Sequence, residues 1–164
     1  MVNYSNGKIY KIEPICDHED GDVYIGSTTK QYLSQRMEYH RRDYNNYKKG
    51  VSSKTLTSFK LYDKYGIDNC IIILIESVNA NTKDELLRRE AHYIRNIKCV
   101  NKMIPLRTKK EYRDENKEKI NKYYLDNIDR FSEKINCECG STYRSDHRAR
   151  HFKTIKHCQF IMTI

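Results

Sequence analysis

Residues 70–75 form the most apolar run in the chain, and this run constrains the fold more than any other stretch. Four of its six residues are isoleucine, which favours a strand because β-branched side chains pack well on a pleated surface. A short run of this composition is typical of a strand that is covered on both faces. We therefore predict a sheet in which residues 70–75 form the central, buried strand.

Two shorter β-favouring runs near the start of the chain, residues 7–13 and 22–28, predict the two strands of a hairpin joined by an acidic loop. Each strand carries a tyrosine, Tyr10 in the first and Tyr24 in the second. Gly26 lies where the chain turns away or lets another group approach closely. On these residues alone, ordinary packing of two among fourteen tyrosines is the simpler interpretation.

Three later segments show the apolar spacing of helices. The first begins near Thr29 and places Arg36 and His40 one above the other, because they are four residues apart. The second runs from about residue 54 to Gly66, a residue type that commonly ends helices. The third begins after Thr82, which is suited to cap its first turn.

Glu90 falls on the apolar stripe of the third predicted helix. A lone carboxylate there is costly to bury unless it is paired or binds a cation. Two interpretations stay open on periodicity alone. Glu90 lies at the edge of the stripe, where it reaches solvent or pairs with Arg36 or Arg88, or it is a metal ligand at the mouth of a site.

The charge of the chain indicates a polyanionic partner. Its formal net charge is +9 and its pI is about 9.2, with an excess of basic residues in both halves. Nucleic acid is the usual partner of such a chain. A hydrophobic content of 38% with 32% charged residues excludes a disordered chain and favours a soluble globular one.

No apolar run approaches the roughly 20 residues that span a bilayer, and the first residues lack the apolar core of a secretory signal. We therefore expect a soluble intracellular protein that has no membrane partner. The six cysteines are scattered except near the C-terminus, where cysteine and histidine crowd together. In an intracellular chain this crowding indicates a metal site, not disulfides.

Residues 109–135 differ from the rest in being rich in charge and tyrosine, and an 11-residue repeat aligns residues 112–120 with 123–131. An 11-residue period is helical, and few apolar positions are available to bury it. We therefore predict three parts: a domain of residues 1–108, a solvated helical linker of residues 109–135, and a small module of residues 136–164.

The last module has too few residues to build a sufficient apolar core without a stabilising cross-link such as a bound metal. It begins with a tight turn bearing two thiolates and continues with a segment bearing histidines, which is the pattern of a small tetrahedral zinc site. The alternative is that no metal binds. Six residues are available as ligands: Cys137, Cys139, His147, His151, His157 and Cys158.

The N-terminal motifs, taken in order, resemble those of the GIY-YIG endonuclease family over about residues 7–105. The YIG half is intact at Tyr24-Ile25-Gly26, whereas the GIY half stands as Lys8-Ile9-Tyr10 and lacks its first glycine unless Gly7 supplies it. The resemblance implies an α/β (α+β) fold with a small mixed or antiparallel three-stranded sheet flanked by helices. It also implies an active site that cleaves phosphodiesters with one divalent cation, Mg²⁺ or Mn²⁺.

The resemblance assigns roles residue by residue. Tyr10 matches the tyrosine proposed as the general base that activates water, and Tyr24 matches the tyrosine that orients water or phosphate. Arg36 matches the arginine that stabilises the phosphate, and His40 matches the His-or-Tyr position one turn later. A free tyrosine has a pKa of about 10 and is a poor base at neutral pH, so Tyr10 needs a nearby cation.

Two further positions complete the resemblance. Glu90 matches the family's single metal ligand, and Asn101 matches the asparagine that supports the site through hydrogen bonds. An oxygen ligand suits a hard cation, and Mg²⁺ usually keeps most of its waters, so one carboxylate is sufficient. A basic run after His40 is expected to meet the phosphate backbone: Arg41, Arg42, Lys48 and Lys49.

The C-terminal module resembles the degenerate C2H2-type zinc fingers attached to nucleases of this kind in large DNA viruses. The resemblance points to Cys137, Cys139, His151 and His157 as the zinc ligands, with His147 and Cys158 as alternatives. The cysteines are separated by one residue where two to four are usual. Basic residues on the presumed helix are expected to lie against DNA: Arg148, Arg150, Lys153 and Lys156.

The sequence thus predicts a metal-dependent DNA endonuclease whose C-terminal module aids DNA binding, located in the host cytoplasm or nucleus if it is viral. One alternative is a nucleic-acid-binding protein that keeps the fold but has lost catalysis, as the Lys8 substitution suggests. Another is a nuclease that acts on RNA, since no residue indicates recognition of a 2′-hydroxyl or a base edge. The target sequence and the oligomeric state are not predicted.

Overall fold

The computed structural model describes residues 2–163, which form a mixed α+β protein, as predicted. The chain divides into two compact units, Met1–Arg107 and Thr108–Ile164. The first unit contains β1 (Gly7–Pro14), β2 (Tyr24–Thr28), α1 (Leu33–Lys48), α2 (Phe59–Tyr65), β3 (Cys70–Val78) and α3 (Lys83–Asn96). The second contains α4 (Lys109–Glu115), α5 (Lys117–Asp126), α6 (Ile128–Ser132), β4 (Lys134–Asn136), β5 (Thr142–Arg144), α7 (Arg148–His151) and α8 (Ile155–Ile161).

The sheet of the first unit has the order β2-β1-β3, with both neighbouring pairs antiparallel. The prediction of a central strand at residues 70–75 is therefore wrong, because β3 is an edge strand and β1 is central. Ile71 and Leu74 of β3 are 40% and 45% exposed, whereas Ile9 and Tyr10 of β1 are fully buried. The isoleucine run signalled a strand correctly, but the position of a strand in a sheet depends on partners distant in sequence.

Each face of the sheet is covered by a different set of helices. Tyr10 and Ile12 of β1 pack in one cluster with buried residues of α1 and α2. Ile9 of β1 and Ile25 of β2 pack in a second cluster with α3. Since neighbouring residues of a strand point to opposite faces, the sheet lies between α1 and α2 on one side and α3 on the other.

The ends of two helices follow the predicted signals. Gly66 ends α2 with a φ of +83°, and the Thr82 hydroxyl caps α3 by accepting a hydrogen bond from the Glu85 amide. The start of α2 was predicted wrongly at residue 54, since the helix begins at Phe59. The Phe59 amide donates to the carbonyl of Leu56, so the preceding residues form a turn.

Residues 109–132 form three helices where a single linker helix was predicted, and the breaks fall at Asn116 and Asn127. The two asparagines lie 11 residues apart and have nearly the same backbone angles, with φ near −115° and ψ of 16°. Each side-chain amide donates to the carbonyl four residues earlier, on Tyr112 and Tyr123, at 2.8 Å. The 11-residue repeat therefore encodes a recurrent helix break, because asparagine competes for backbone hydrogen bonds.

The rest of the second unit is a small ββα arrangement. Strands β4 and β5 pair antiparallel, and the turn between them contains Gly140 at a φ of +74°. The presumed basic helix is two short ones, since Thr154 starts α8 by capping the His157 amide. Within residues 2–163, no helix is long and apolar enough to cross a membrane.

Candidate active site and metal centre

The Tyr10 hydroxyl lies at the middle of a buried polar cluster in the first unit. Arg36 on α1 donates a hydrogen bond from Nε to the Tyr10 oxygen at 2.9 Å. His40, one turn later on α1, places its Nε2 2.9 Å from the same oxygen. The predicted spacing of four residues on one helix thus brings both side chains to one atom of β1.

His40 is neutral in this cluster. It is only 1% exposed, and burial, together with the nearby Arg36 guanidinium, lowers its pKa to about 3. A neutral imidazole keeps one N–H and one free lone pair. Nε2 of His40 therefore donates to the Tyr10 oxygen or accepts its proton, according to the tautomer.

Tyr24 completes an aromatic cluster around the same point. Its ring centroid lies 6.5 Å from that of Tyr10 and 5.6 Å from that of His40. Burial raises the pKa of both tyrosines, and the Glu90 carboxylate adds to the effect, whereas Arg36 opposes it. Both phenols are therefore protonated at neutral pH in the absence of a further cation.

Gly26 pairs with Tyr10 in the sheet and leaves room for the tyrosine ring. A Cβ atom on Gly26 would lie 2.5 Å from the Tyr10 hydroxyl oxygen, closer than any real contact of this kind. The group that Gly26 allows to approach closely is therefore the Tyr10 phenol.

Glu90 extends from α3 toward the same region. Its carboxylate accepts a hydrogen bond from the Ser27 hydroxyl at 2.5 Å, one residue after Gly26 on β2. Burial raises the pKa of Glu90, while the Ser27 hydrogen bond and the Arg36 charge partly offset the rise. The Glu90 charge raises the pKa of both tyrosines, so its carboxylate acts electrostatically on the Tyr10 cluster while its hydrogen-bond partner is Ser27 on β2.

Ser27 is a residue of the site that sequence reasoning missed. It follows the Tyr24-Ile25-Gly26 motif directly, but a hydroxyl beside a glycine gives no periodic signal. Only the placement of α3 against β2 shows that its partner is Glu90. A side chain that holds a carboxylate in this way fixes the direction in which the carboxylate points.

Asn101 supports the cluster through the backbone. Its amide side chain donates to the Ile25 carbonyl at 2.8 Å and accepts from the Ile25 amide at 2.9 Å. The neighbouring Val100 amide also donates to the Val23 carbonyl at 2.8 Å. The Asn101 side chain thus satisfies both backbone groups of Ile25 at the outer edge of β2, as a neighbouring strand would.

The basic run predicted to meet a phosphate backbone lies on α1 and at its C-cap: Arg41, Arg42, Lys48 and Lys49. Lys48 already pairs with Asp63 at 3.1 Å, so part of its charge is used within the protein. Arg42 lies 3.8 Å from Asp43, packs over the Tyr39 ring at 4.5 Å and stays exposed. The exposed members of the run therefore offer a basic surface beside the cluster on α1.

The second unit brings together four ligand-type side chains, Cys137, Cys139, His151 and His157. Their ligand atoms all lie within 4.8 Å of one another. Sγ of Cys137 is 3.4 Å from Nδ1 of His157, and Sγ of Cys139 is 3.6 Å from Nε2 of His151. A tetrahedral zinc ion with ordinary bond lengths holds sulfur and nitrogen about 3.5 Å apart, so the cluster has the geometry to bind a metal such as zinc.

The two alternative ligands lie elsewhere. His147 is 3.8 Å from the Asp146 carboxylate, and the Cys158 thiol contacts the Phe152 carbonyl. The single residue between Cys137 and Cys139 is accommodated by the tight turn at Gly140, whose amide donates to the Cys137 carbonyl at 2.9 Å. A short spacing between cysteines is thus compatible with a shared centre.

Aromatic rings hold the histidines of the centre, which sequence reasoning did not identify. Tyr143 stacks on His151 with ring centroids 4.3 Å apart, and Phe152 stacks on His157 at 4.7 Å. Burial opposes ionisation of the Cys139 thiol, but hydrogen bonds from His157 and Ser141 outweigh it and lower its pKa to about 6. Thiolate is the form that binds metal, so the surroundings favour ligation.

The basic residues predicted to lie against DNA are exposed in the second unit: Arg148, Arg150, Lys153 and Lys156. They are distributed over α7, α8 and the turn between them and do not line one helix. Arg148 packs over the Phe152 ring at 5.3 Å, and Lys156 approaches the Gly140 carbonyl at 3.4 Å. Both side chains therefore lie close to the Cys/His cluster.

A comparison of the chain with protein-family models, with curated proteins and with solved structures found no match. Function is therefore inferred from the side chains and their geometry.

Proposed function

We propose that the first unit is a metal-dependent DNA endonuclease of the GIY-YIG type, which hydrolyses phosphodiester bonds by attack of an activated water. The observation that supports this most strongly is the Tyr10 oxygen held at 2.9 Å from both Arg36 and neutral His40. Glu90 supplies a half-buried carboxylate, held by the Ser27 hydroxyl, whose charge acts on Tyr10. These are the components that phosphodiester hydrolysis needs: a base, positive charge and an anchor for a cation.

In this proposal Tyr10 acts as the general base. Once Tyr10 has released its proton to solvent, the phenolate accepts hydrogen bonds from Nε of Arg36 and from Nε2 of His40, and these two donors stabilise it. The phenolate oxygen takes a proton from the attacking water, whose oxygen bonds to phosphorus as the bond from phosphorus to the leaving oxygen breaks, and the leaving oxygen takes a proton from solvent. Arg36 retains further N–H groups that can face the phosphoryl oxygens, because its guanidinium carries five donors.

Glu90 and the neighbouring Ser27 hydroxyl offer oxygen ligands, which suit Mg²⁺ or Mn²⁺. A carboxylate whose pKa burial has raised gains from a nearby cation, so the residues fit such an ion. A bound cation supplies positive charge for the phosphate oxygens. It would also cancel the influence of Glu90 that now raises the pKa of Tyr10.

We further propose that the Cys/His cluster binds one structural Zn²⁺ and that the second unit aids DNA binding. Of the residues described in 108–163, the buried ones are Cys139, His151 and His157, so ligands replace an apolar core. Metal binding then supplies the folding free energy. The exposed arginines and lysines around α7 and α8 match the charge of a phosphate backbone.

Single-turnover nicking of supercoiled plasmid tests the nuclease proposal. Wild-type protein with Mg²⁺ or Mn²⁺ is expected to cut, and Glu90→Gln is expected to lose at least about a hundredfold in rate. Asp84→Asn on the same helix is the matched control and should cut normally. Equal rates for wild type and Glu90→Gln would reject the enzyme, and cleavage of RNA alone would replace DNA as the substrate.

Elemental analysis tests the zinc proposal. One zinc per chain is expected in the wild type and in Cys158→Ser, whereas Cys137→Ser should lose most of it. A metal-free wild-type protein with unchanged thermal stability would contradict the proposal.

A further inference from the structure

A cavity of about 310 Å³ lies on the outer side of α1 in the first unit. Its lining is made of polar and charged side chains: Lys30, Gln35, Glu38, Tyr39 and Arg42. Apart from Arg42, none of these residues was singled out from the sequence. The cavity is separate from the Tyr10 cluster but shares the helix that carries Arg36 and His40.

Two cations approach one aromatic ring in this cavity. Nζ of Lys30 lies 5.0 Å from the Tyr39 ring centroid, and the Arg42 guanidinium carbon lies 4.5 Å from it. Both charges therefore lie within about 5 Å of one ring, and a phosphodiester that reaches this ring can contact either of them. The ring orients the two long side chains by cation–π attraction and so reduces the entropy lost on binding.

The charge of the lining matches a single phosphodiester. Lys30 and Arg42 contribute two positive charges, and Glu38 contributes one negative charge, which leaves one net positive charge. Arg42 also lies 3.8 Å from Asp43 through one amino group, so its other donors stay available. Cations on the Tyr39 ring occupy the place where a base would stack, so the cavity favours phosphate over a nucleobase.

Lys8 ties this cavity to the strand that carries Tyr10. Its ammonium donates to the Lys30 carbonyl at 3.1 Å, and the Lys30 amide donates to the Thr28 hydroxyl at 3.1 Å. The Lys30 backbone is thus held by Lys8 and by Thr28. Lys8 lies two residues before Tyr10 on β1. Lys8 stands where the GIY motif has glycine, and here its side chain has a positioning role.

We propose that Lys30, Tyr39 and Arg42 form a subsite for the phosphodiester that flanks the one at Tyr10 on the same strand. The proposal rests on the nuclease function proposed above and refines its substrate class. The substrate is a polynucleotide with a phosphate beside the cleaved bond, so an isolated phosphate ester is a poor one. Tyr39 follows Arg36 by three residues on α1, which places the subsite next to the cluster.

Binding of the full chain to an end-labelled 30-bp DNA duplex, measured by fluorescence anisotropy without divalent cation, tests the subsite. Lys30→Gln and Arg42→Gln are each expected to weaken binding about 3- to 10-fold and to reduce the slope of log affinity against log salt by about 0.9. Glu38→Gln should tighten binding. Lys83→Gln and Arg88→Gln on α3 make the same charge changes on the other side of the sheet and should leave binding unchanged.

The role of Lys8 is tested by a double variant. Lys8→Met alone is expected to weaken binding, but it should add little in the Lys30→Gln background, because both changes remove the same contact. Full additivity would show that Lys8 contacts DNA independently. Circular dichroism and thermal melts confirm that each variant is folded.

Failure of the subsite and failure of the nuclease are distinguishable. If the wild type cleaves DNA but Lys30→Gln and Arg42→Gln bind as the α3 controls do, the subsite is rejected and the nuclease stands. If the wild type does not cleave but the two variants bind weakly as expected, the phosphate site stands without the nuclease. The second unit is identical in all samples, so its contribution to binding is constant.

Discussion

The two compact units bury different kinds of residue. In the first, apolar clusters lie on both faces of the sheet, and Tyr10 itself belongs to one of them. In the second, the buried residues among those described are Cys139, His151 and His157, which belong to the Cys/His cluster itself. When one site residue changes in the first unit, function is lost but the apolar core keeps the unit folded. In the second unit the site residues are the core, so the same kind of change also unfolds the unit.

The largest expected effect is removal of metal from the second unit. Structural zinc contributes about 10–16 kcal/mol in small zinc modules, so chelation should unfold residues 108–163 while the first unit stays folded. Limited proteolysis with and without chelator checks this, because only the second unit should become sensitive. Protection of both units after full metal removal would contradict the difference between them.

In the first unit, Tyr10→Phe should remove activity with a small loss of stability. We expect the nicking rate to fall about 10²- to 10⁴-fold, because the base is lost. Because the substitution leaves the Arg36 and His40 groups unpaired, the free energy of unfolding should fall by about 1–3 kcal/mol. Tyr47→Phe, whose ring packs on Phe59 at 5.2 Å, is the matched control and should retain activity.

A smaller effect is expected from Ser27→Ala. The Ser27 hydrogen bond favours the charged form of Glu90, so its loss raises the pKa of Glu90 further. The acid limb of the pH–rate profile should therefore move to higher pH, and the Mg²⁺ requirement should rise about tenfold. Ser27→Thr keeps the hydroxyl and is expected to rescue both; an unchanged profile for Ser27→Ala would show that the bond has no role in activity.

The smallest effect is expected from Asn101→Ala. Loss of its two hydrogen bonds to Ile25 should destabilise the first unit by about 1–2 kcal/mol and lower the nicking rate only severalfold. Urea unfolding and single-turnover rates measure the two effects. A rate loss as large as that of Tyr10→Phe would mean that Asn101 contacts the reacting groups directly.

The sequence predicted those features whose signals are local. Thr82 and Gly66 act at helix ends as expected, and the four-residue spacing of Arg36 and His40 correctly placed them on one helix. The position of β3 was not predictable, because its pairing with β1 joins residues about 60 apart. The isoleucine run specifies a strand but not its neighbours.

The missed residues share a physical reason. Ser27 gains its role from α3, and Lys30 gains its role from a ring on α1 and an ammonium on β1. Such contacts are set by tertiary packing and leave no periodic pattern. In the second unit, by contrast, residue type alone limited the ligands to six cysteines and histidines, and the family resemblance pointed to the four that the structure brings together.

A double-mutant cycle on Tyr10 and Glu90 tests the central claim most directly. Single-turnover rates of plasmid nicking are measured for wild type, Tyr10→Phe, Glu90→Gln and the double variant with Mg²⁺. If the two residues act as one catalytic unit, the double variant should be about as slow as the slower single variant. Losses that multiply, or single variants that cut as fast as wild type, would contradict the claim.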